Sequence, residues 1–321
     1  MKKQAFLFPG QGSQFVGMGK DIYDHYEEAR QVYEEASQVL DRDIAKLCFA
    51  STEEELKKTE NAQIAIAVTS LSILKVLEAR GIRAEMAVGL SLGEYVALTY
   101  GGYLKQEDCF RLLKQRGYAM GNLLPKGEYE MVVVMGLETT KIEKICQELR
   151  EKGHFVVPAN YNYSGQTVLS GEKTAIEKVT EELQLAGAKR VVPLNTSGPF
   201  HTEKLMQAKE AFEKELEKVE FQKEGNGVQV LKNLDGMPYQ KEDNIKEILA
   251  NHMVSPVRFD QAIQTMKKAG IRTFVEIGPG KAMSGFIKKE LKEEDITLFN
   301  LCDQASLEKY MNDIEEDRKN G

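Results

Sequence analysis

Cysteine is scarce in this sequence, and its spacing excludes several kinds of site. The 321 residues include four cysteines, Cys48, Cys109, Cys146 and Cys302, with no C-x-x-C pair and no histidine at the spacing of a metal ligand. Zinc sites and disulfide frameworks are recognised by close or regular cysteine spacing. We therefore expect reduced thiols, no bound metal and a cytoplasmic protein.

A surplus of basic residues is also absent. Lysine and arginine number 43 against 50 aspartate and glutamate residues, which gives a net charge of -7. Proteins that bind nucleic acid present positive charge to the phosphate backbone. The composition therefore argues against a nucleic-acid partner.

Long apolar runs are missing as well. The apolar stretch at residues 5–8 ends at Pro9, too early for the apolar region of a signal peptide. The most apolar long segment, residues 64–77, contains two serines and a lysine and falls short of a membrane span. We predict that it forms a buried helix and that the protein does not associate with membranes.

The sequence does contain enough apolar residues, 42%, for a substantial core. Its length exceeds the size at which one core stops growing, so we expect a large α/β domain and a smaller one. Between residues 131 and 194 the pattern predicts strand, helix, strand, strand, helix and strand, the order of a ferredoxin-like (βαββαβ) module. We interpret residues 128–196 as this inserted subdomain and residues 1–127 and 197–321 as the discontinuous large domain. The polar residues 313–321 are predicted to be a frayed tail.

The segment Gly89-Leu90-Ser91-Leu92-Gly93 reads G-x-S-x-G between an apolar strand and a helix. Such a turn projects the serine hydroxyl into a cleft, while its glycines allow backbone segments to approach closely. The pattern predicts a nucleophile elbow at Ser91. The backbone N–H of Leu92 would then be one oxyanion donor, and the Gly10-Gln11-Gly12 loop is the best candidate for the second.

A nucleophilic serine needs a base, and only four histidines are present. His25 lies in a polar helix and His154 opens a strand, so neither is favoured. His201 follows a rigid Gly-Pro-Phe lead-in and is either a base facing a cleft or a turn or capping residue. His252 lies at a helix end, where the helix dipole favours histidine without a catalytic role.

Arg116 lies on a helix with an apolar stripe, residues 107–120. Two interpretations are open. The side chain either extends to the surface or forms a structural ion pair, or it holds a substrate carboxylate through two parallel hydrogen bonds.

Several different short motifs are spread over nearly the whole chain. They are F-P-G-Q-G-S-Q at 8–14, Gln63, G-L-S-L-G-E-Y at 89–95, Q-R-G at 115–117, A-N-Y-N at 159–162, S-G-P-F-H at 197–201, S-P-V at 255–257 and E-I-G-P-G-K at 276–281. Together they resemble the malonyl-CoA:acyl carrier protein transacylase family of bacterial fatty-acid synthesis and the related acyltransferase domains of polyketide synthases (PKS). The resemblance implies an α/β-hydrolase-like large domain with a parallel sheet, carrying the ferredoxin-like insert.

The resemblance also implies roles for individual residues. Ser91 would be the acylated nucleophile and His201 its base, with the backbone N–H groups of Gln11 and Leu92 as oxyanion hole. Arg116 would bind the malonyl carboxylate. Three further side chains would line the pocket or touch the pantetheine arm: Gln63, Asn160 and Asn162. The substrates would be malonyl-CoA and phosphopantetheinylated acyl carrier protein, the partner would be that carrier protein, no cofactor would be needed, and the enzyme would act as a monomer.

Some positions depart from the family pattern. Leu90 replaces a common histidine, Tyr163-Ser164 replaces Ser-Pro, and His252 stands where glutamine is common. In the family a carbonyl at this last position orients the catalytic histidine. If that carbonyl belongs to the backbone, His252 is harmless, and this interpretation also fits the lack of an obvious acid as third catalytic residue.

Three alternatives remain at this point. A serine hydrolase or thioesterase would need an acid between Ser91 and His201 in the sequence, and Asp108 is the candidate. A trans-acting acyltransferase for a PKS would share the same chemistry. A scaffold that binds carrier protein without turnover would be compatible with the change at His252.

Overall fold

The computed structural model of the protein describes residues 3–195 and 198–320. Thr196 and Ser197, where the predicted insert gives way to the second part of the large domain, lie outside the described residues. The strands are β1 (Gln4–Phe8), β2 (Met86–Gly89), β3 (Tyr129–Met135), β4 (Val156–Tyr163), β5 (Gln166–Glu172), β6 (Arg190–Leu194), β7 (Gln229–Leu231), β8 (Val257–Arg258), β9 (Thr273–Ile277) and β10 (Thr297–Leu301).

Helices connect these strands, and a short 3₁₀ helix spans Glu203–Leu205. The α-helices are α1 (Lys20–His25), α2 (Glu27–Leu40), α3 (Ile44–Ala50), α4 (Glu53–Lys57), α5 (Thr59–Ala79), α6 (Gly93–Tyr100), α7 (Gln106–Asn122), α8 (Thr139–Glu151), α9 (Lys173–Leu185), α10 (Met206–Leu216), α11 (Ile245–His252), α12 (Phe259–Lys268), α13 (Ala282–Glu290) and α14 (Gln304–Asn320).

The first sheet is parallel, with strand order β10-β9-β1-β2-β7. Alternate side chains of β1 point to opposite faces, as the strand geometry requires. Phe6 and Phe8 join the large core around α5, whereas Ala5 and Leu7 pack with residues of α12 and α13. Helices therefore cover both faces, the chain has an α/β fold, and the carboxyl ends of these strands form one edge at which loops can build a site.

The second sheet has the order β6-β3-β5-β4-β8. Its first four strands pair antiparallel, and β3, α8, β4, β5, α9 and β6 follow the predicted order of elements. Val132 and Val134 on one face of β3 pack with α8 and α9, while Met131 and Val133 on the other face join the large core. The two-residue strand β8 pairs in parallel with β4 and ties this sheet to the segment after α11.

The helix α5 is the one described helix that is long and apolar enough to cross a membrane. However, 83% of its most apolar stretch is buried inside the protein. It packs against α2 and α7 as the central helix of the large core. Its composition therefore reflects burial in the protein, as predicted for residues 64–77.

The prediction of a frayed tail is wrong for the described residues. The helix α14 continues through residues 313–320. Leu307 and Tyr310 are fully buried and anchor its first half, and the Arg318 guanidinium donates a hydrogen bond to the Gly81 carbonyl at 2.9 Å. A few buried residues in the first turns are enough to dock a helix whose remaining side chains face solvent.

Candidate active site

The elbow at Ser91 is a strained turn between β2 and α6. Ser91 has φ 55°, a left-handed conformation that non-glycine residues adopt rarely. A Cβ on Gly89 would collide with the backbone of Gly93, and a Cβ on Gly93 would collide with the Phe8 carbonyl. Only glycine allows these close approaches. The turn consequently raises the serine hydroxyl above the edge of the parallel sheet.

The structure brings Ser91 and His201 together across 110 positions of the sequence. Ser91 Oγ lies 2.9 Å from His201 Nε2. His201 also has a left-handed backbone, with φ 59°, in a tight loop where the Thr202 hydroxyl donates to the Pro199 carbonyl. Thr202, not His201, caps the following 3₁₀ helix by accepting from the Lys204 N–H. The loop therefore aims the imidazole at the serine.

The second ring nitrogen of His201 meets a backbone carbonyl. Nδ1 lies 3.0 Å from the carbonyl oxygen of His252, the last residue of α11. Because a carbonyl only accepts, Nδ1 carries the proton and Nε2 is free to accept the Ser91 hydroxyl proton. Because the acceptor that orients His201 is a backbone carbonyl, the side chain at position 252 can change without removing it.

Burial above all, and then the neighbouring His252 and Arg116, lower the pKa of His201 well below its usual value near 6.5. Hydrogen bonds from the ring to backbone carbonyls partly oppose this shift. The imidazole is therefore neutral at pH 7, the form that can accept a proton.

Arg116 is fully buried and lies beside the nucleophile, so the surface interpretation is wrong. Its Nη2 donates to Ser91 Oγ at 3.0 Å and its Nη1 to Gln63 Oε1 at 2.8 Å. The guanidinium carbon lies 5.5 Å from the centre of the Tyr95 ring. Among residues 3–195 and 198–320, no carboxylate lies within ion-pair distance of this buried cation, and its Nε has no hydrogen-bond partner. Burial lowers the pKa of Arg116, yet a guanidinium stays protonated in proteins.

The two predicted oxyanion donors are free in the described structure. Neither the Leu92 N–H nor the Gln11 N–H donates to any residue that the structure describes. Their loops are in contact, since a Cβ on Gly10 would lie 2.7 Å from the Leu90 carbonyl oxygen. The Leu90 N–H also donates to the Phe8 carbonyl at 2.9 Å. An oxyanion hole requires two such N–H donors beside the nucleophile, and these two adjoining loops supply them unpaired.

The predicted pocket residues differ in their placement. Gln63 is buried and holds Arg116. Asn162 is buried on β4, where its amide donates to Gln166 Oε1 at 2.8 Å and its Oδ1 has no partner among the described residues. Asn160 lies on β4 opposite Val257 of β8. Within the described chain no hydrogen bond joins either asparagine to the Ser91 group, so their roles stay predictions.

The hydrolase alternative receives no support from the position of Asp108. Its carboxylate accepts from Arg111 at 3.0 Å in the first turn of α7, while His201 Nδ1 faces a backbone carbonyl instead of an acid. No group of three histidine, cysteine, aspartate or glutamate side chains in the described parts of the chain could hold a metal ion.

Sequence reasoning missed the group that holds the elbow. The Asn233 side chain accepts from the Ser91 N–H at 2.8 Å and donates to the Gly89 carbonyl at 2.7 Å. The Asn233 N–H in turn donates to Glu94 Oε1 at 3.0 Å. Asn233 lies two residues after β7, and β7 pairs with β2, so only the strand order reveals that Asn233 is close to Ser91. No local pattern identifies it.

The replacement His252→Gln should retain kcat within about threefold, because the orienting carbonyl belongs to the backbone and a glutamine amide can still donate to the adjacent Glu94. Steady-state rates with malonyl-CoA and carrier protein, together with the melting temperature, provide the measurement. A loss above tenfold in a variant of unchanged stability would contradict this expectation and assign a chemical role to the imidazole itself.

Comparison with known proteins places this arrangement in a family. Residues 5–314 match the acyl transferase domain family. The chain is 36% identical to the malonyl CoA-acyl carrier protein transacylase of Bacillus subtilis (strain 168) over 320 residues, which cover 100% of both proteins.

Solved structures agree with this match. The malonyl CoA-acyl carrier protein transacylase of Clostridium perfringens has a TM-score of 0.93 at 40% identity and covers 98% of each chain. A malonyl-transacylase in complex with its type II PKS acyl-carrier protein has a TM-score of 0.91 at 33% identity, covering 97% of this chain and 100% of that one. Because the matches in sequence and structure span nearly the whole chain, it belongs to the acyl transferase domain family and, within that family, to the malonyl-CoA:acyl carrier protein transacylases.

Proposed function

We propose that this enzyme transfers a malonyl group from malonyl-CoA to the phosphopantetheine thiol of acyl carrier protein through a malonyl-Ser91 intermediate. The observation that carries the proposal is the buried Arg116 guanidinium beside Ser91, with no carboxylate partner among the described residues. A buried cation is costly unless it is paired, and a substrate carboxylate would supply the missing partner. Malonyl-CoA carries that carboxylate close to its thioester.

In the first step, the neutral His201 imidazole accepts the Ser91 hydroxyl proton on Nε2 as Oγ attacks the thioester carbonyl. The N–H groups of Leu92 and Gln11 stabilise the tetrahedral oxyanion. When the carbon–sulfur bond breaks, the imidazolium returns its proton to the leaving sulfur. The His252 carbonyl keeps Nδ1–H in place and stabilises the cation through this step.

In the second step, the carrier-protein thiol enters the same site. His201 accepts the thiol proton, and the sulfur attacks the malonyl-Ser91 ester with the same oxyanion stabilisation. Collapse of the intermediate breaks the bond to Oγ, and the imidazolium returns the proton to the serine. The chain's own residues supply nucleophile, base and oxyanion donors, so the proposal includes no cofactor.

The test is a transfer assay with malonyl-CoA and carrier protein, in which acetyl-CoA is the rival acyl donor and water the rival acceptor. We expect parallel lines in double-reciprocal plots, as for a double displacement, and a malonyl adduct on the Ser91 peptide in mass spectra. Carriers from fatty-acid and PKS systems should be compared side by side. Release of free malonate at a rate equal to transfer would instead identify a hydrolase.

Carrier-protein docking should depend on exposed cations. Acyl carrier proteins are acidic, and five exposed basic residues are our candidates to meet them: Lys189, Arg190, Lys281, Lys288 and Lys289. None of the five forms an ion pair with another described residue. Lys189 precedes β6 and Arg190 begins it, whereas Lys281 precedes α13 and Lys288 and Lys289 lie in the last turn of that helix.

Reversal of these charges to glutamate should raise the KM for carrier protein about tenfold at low salt and leave the KM for malonyl-CoA unchanged, because the rate of encounter between proteins follows long-range charge complementarity. When the five residues are reversed one at a time, Lys214→Glu, which reverses an exposed cation on α10, is the control with the same change in net charge. An equal rise in both KM values, or an equal rise in the control, would contradict docking at these residues.

A further inference from the structure

A single buried carboxylate connects the groups that hold both members of the Ser91–His201 pair. Glu94 lies in the first turn of α6, directly after the elbow, and is fully buried. Its Oε1 accepts from the Asn233 N–H at 3.0 Å and from the Tyr239 hydroxyl at 2.8 Å. Its Oε2 lies 2.9 Å from His252 Nδ1, off the direction of a linear hydrogen bond. The carboxylate thus faces two side chains or backbone groups from the β7–α11 connection, Asn233 and Tyr239, and a third group at the end of α11, His252.

The first connection leads to the nucleophile. Asn233, held through its own N–H by Glu94, is the side chain that bridges the Ser91 N–H and the Gly89 carbonyl. A left-handed serine persists only where surrounding contacts enforce it. The two hydrogen bonds of Asn233 hold the elbow at Ser91, its central residue, and at Gly89, its first residue. A shift of Asn233 would therefore move Oγ relative to its base.

The second connection leads to the base. The carbonyl of His252 accepts from His201 Nδ1, and the two imidazole rings stack with their centres 4.8 Å apart. The side chain of His252 is itself almost fully buried, and its Nε2 has no partner among the described residues. Contact with Glu94 is therefore the one polar contact that the described structure gives this ring. A shift of His252 would move both the carbonyl and the ring against which His201 packs.

We propose that Glu94 is the positioning residue of this active site, whose one carboxylate fixes the Ser91 turn through Asn233 and the His201 ring through His252. This inference rests on the proposed function of the Ser91–His201 pair. Burial of a charge that only filled space would be unfavourable compared with an apolar side chain. Two hydrogen bonds to Oε1 and the contact of Oε2 with His252 Nδ1 join this one carboxylate to the supports of both residues, and so set the distance between nucleophile and base.

The replacement Glu94→Gln tests the proposal with nearly unchanged shape. An amide has only one acceptor oxygen, so its NH₂ group must face either His252 Nδ1–H or the pair of donors at Asn233 and Tyr239. We expect kcat for malonyl transfer to fall about 30-fold, since small misplacements of reacting groups have effects of this size. Glu94 does not contact the substrate, so the KM for malonyl-CoA should stay within about threefold.

Glu276→Gln is the matched control. Glu276 is also a fully buried carboxylate, and it accepts from the N–H groups of Met283 and Ser284 at the start of α13, with no hydrogen bond in the described structure to Ser91, His201, Asn233 or His252. If Glu94 has only a structural role, both variants should lose stability and retain kcat. A kcat loss confined to Glu94→Gln, at a similar melting temperature, supports positioning.

Tyr239→Phe serves if Glu94→Gln does not fold, because it removes one hydrogen bond from the same carboxylate without adding a donor. We then expect a threefold to tenfold fall in kcat, on the order of one hydrogen bond. A folded Glu94 or Tyr239 variant with the wild-type rate of malonyl-Ser91 formation would overturn the proposal. Failure of the wild-type enzyme to form that adduct would instead refute the proposed function, so the two failures are distinguishable.

Discussion

Ser91→Ala should lower malonyl transfer by at least about 10⁴-fold, because removal of the nucleophile from a serine–histidine pair abolishes the covalent route and leaves only binding and oxyanion stabilisation. Ser91 Oγ contacts both His201 and Arg116, and no other hydroxyl in the described structure forms a hydrogen bond with His201 Nε2. The measurement is the rate of transfer from malonyl-CoA to carrier protein, together with the mass of the protein after exposure to malonyl-CoA alone. The variant should show no adduct.

His201→Ala is the companion experiment. If the two residues act as one unit, the double variant should be little slower than either single variant, since loss of either one already removes the same route. Melting temperatures separate lost chemistry from lost folding. Retention of more than about 1% of wild-type transfer by folded Ser91→Ala would contradict the mechanism and require another acyl acceptor.

The residues at this site that were predictable from the sequence lie at boundaries between elements. Ser91 follows a short apolar run and precedes a helix, and His201 follows a rigid Gly-Pro-Phe segment. Glycine and proline mark such boundaries because their backbones have distinct conformational limits. Those local signals indicated a nucleophile at Ser91 and left His201 as either a base or a turn residue, and only the resemblance to a family paired the two.

The residues that support them were not predictable in this way. Asn233 lies 142 positions from Ser91, and its role depends on β7 pairing with β2 at the edge of the first sheet. Glu94 appears in the sequence as an ordinary acidic residue in the first turn of a helix, where the dipole favours acidic side chains. Only the convergence of Asn233, Tyr239 and His252 on its carboxylate distinguishes it.

The secondary structure shows the same division. The strand β6 ends at Leu194, where the predicted order of elements also ends, because it is a short run of β-branched and apolar residues after a glycine and a charged break. The helix α14 was missed because its second half carries few apolar residues, and its docking depends on contacts made by the first half. Local composition describes the exposed part of such a helix and not the contact that holds it.

The burial of Arg116 is a further case in which tertiary contact decides between two interpretations of one residue. A Cβ on Gly117 would lie 2.7 Å from the Glu60 Cα, so glycine at this position allows α7 to approach α5 closely. That approach places the neighbouring Arg116 against Gln63 of α5 and turns it inward. The motif Q-R-G thus contains the steric condition for its own arginine to be buried.

Arg116→Ala should lower malonyl transfer by about 10²- to 10⁴-fold and change acetyl transfer by no more than about threefold. The reason is electrostatic, since a malonyl carboxylate that enters the site without the guanidinium would be a buried charge with no partner, at a cost of about 3–5 kcal/mol. An acetyl group carries no such charge. The measurement compares kcat/KM for malonyl-CoA and acetyl-CoA with the same carrier protein.

Two control variants test whether this effect comes from the guanidinium group of Arg116. Arg111→Ala removes an exposed arginine from the same helix, where it pairs with Glu107 and Asp108, and should leave both rates unchanged. Arg116→Lys keeps the positive charge but loses the two parallel donors, so it should recover only part of the malonyl rate. Equal losses for malonyl and acetyl transfer in Arg116→Ala would assign the guanidinium to the support of Ser91 Oγ, to which it also donates, and remove its part in substrate selection.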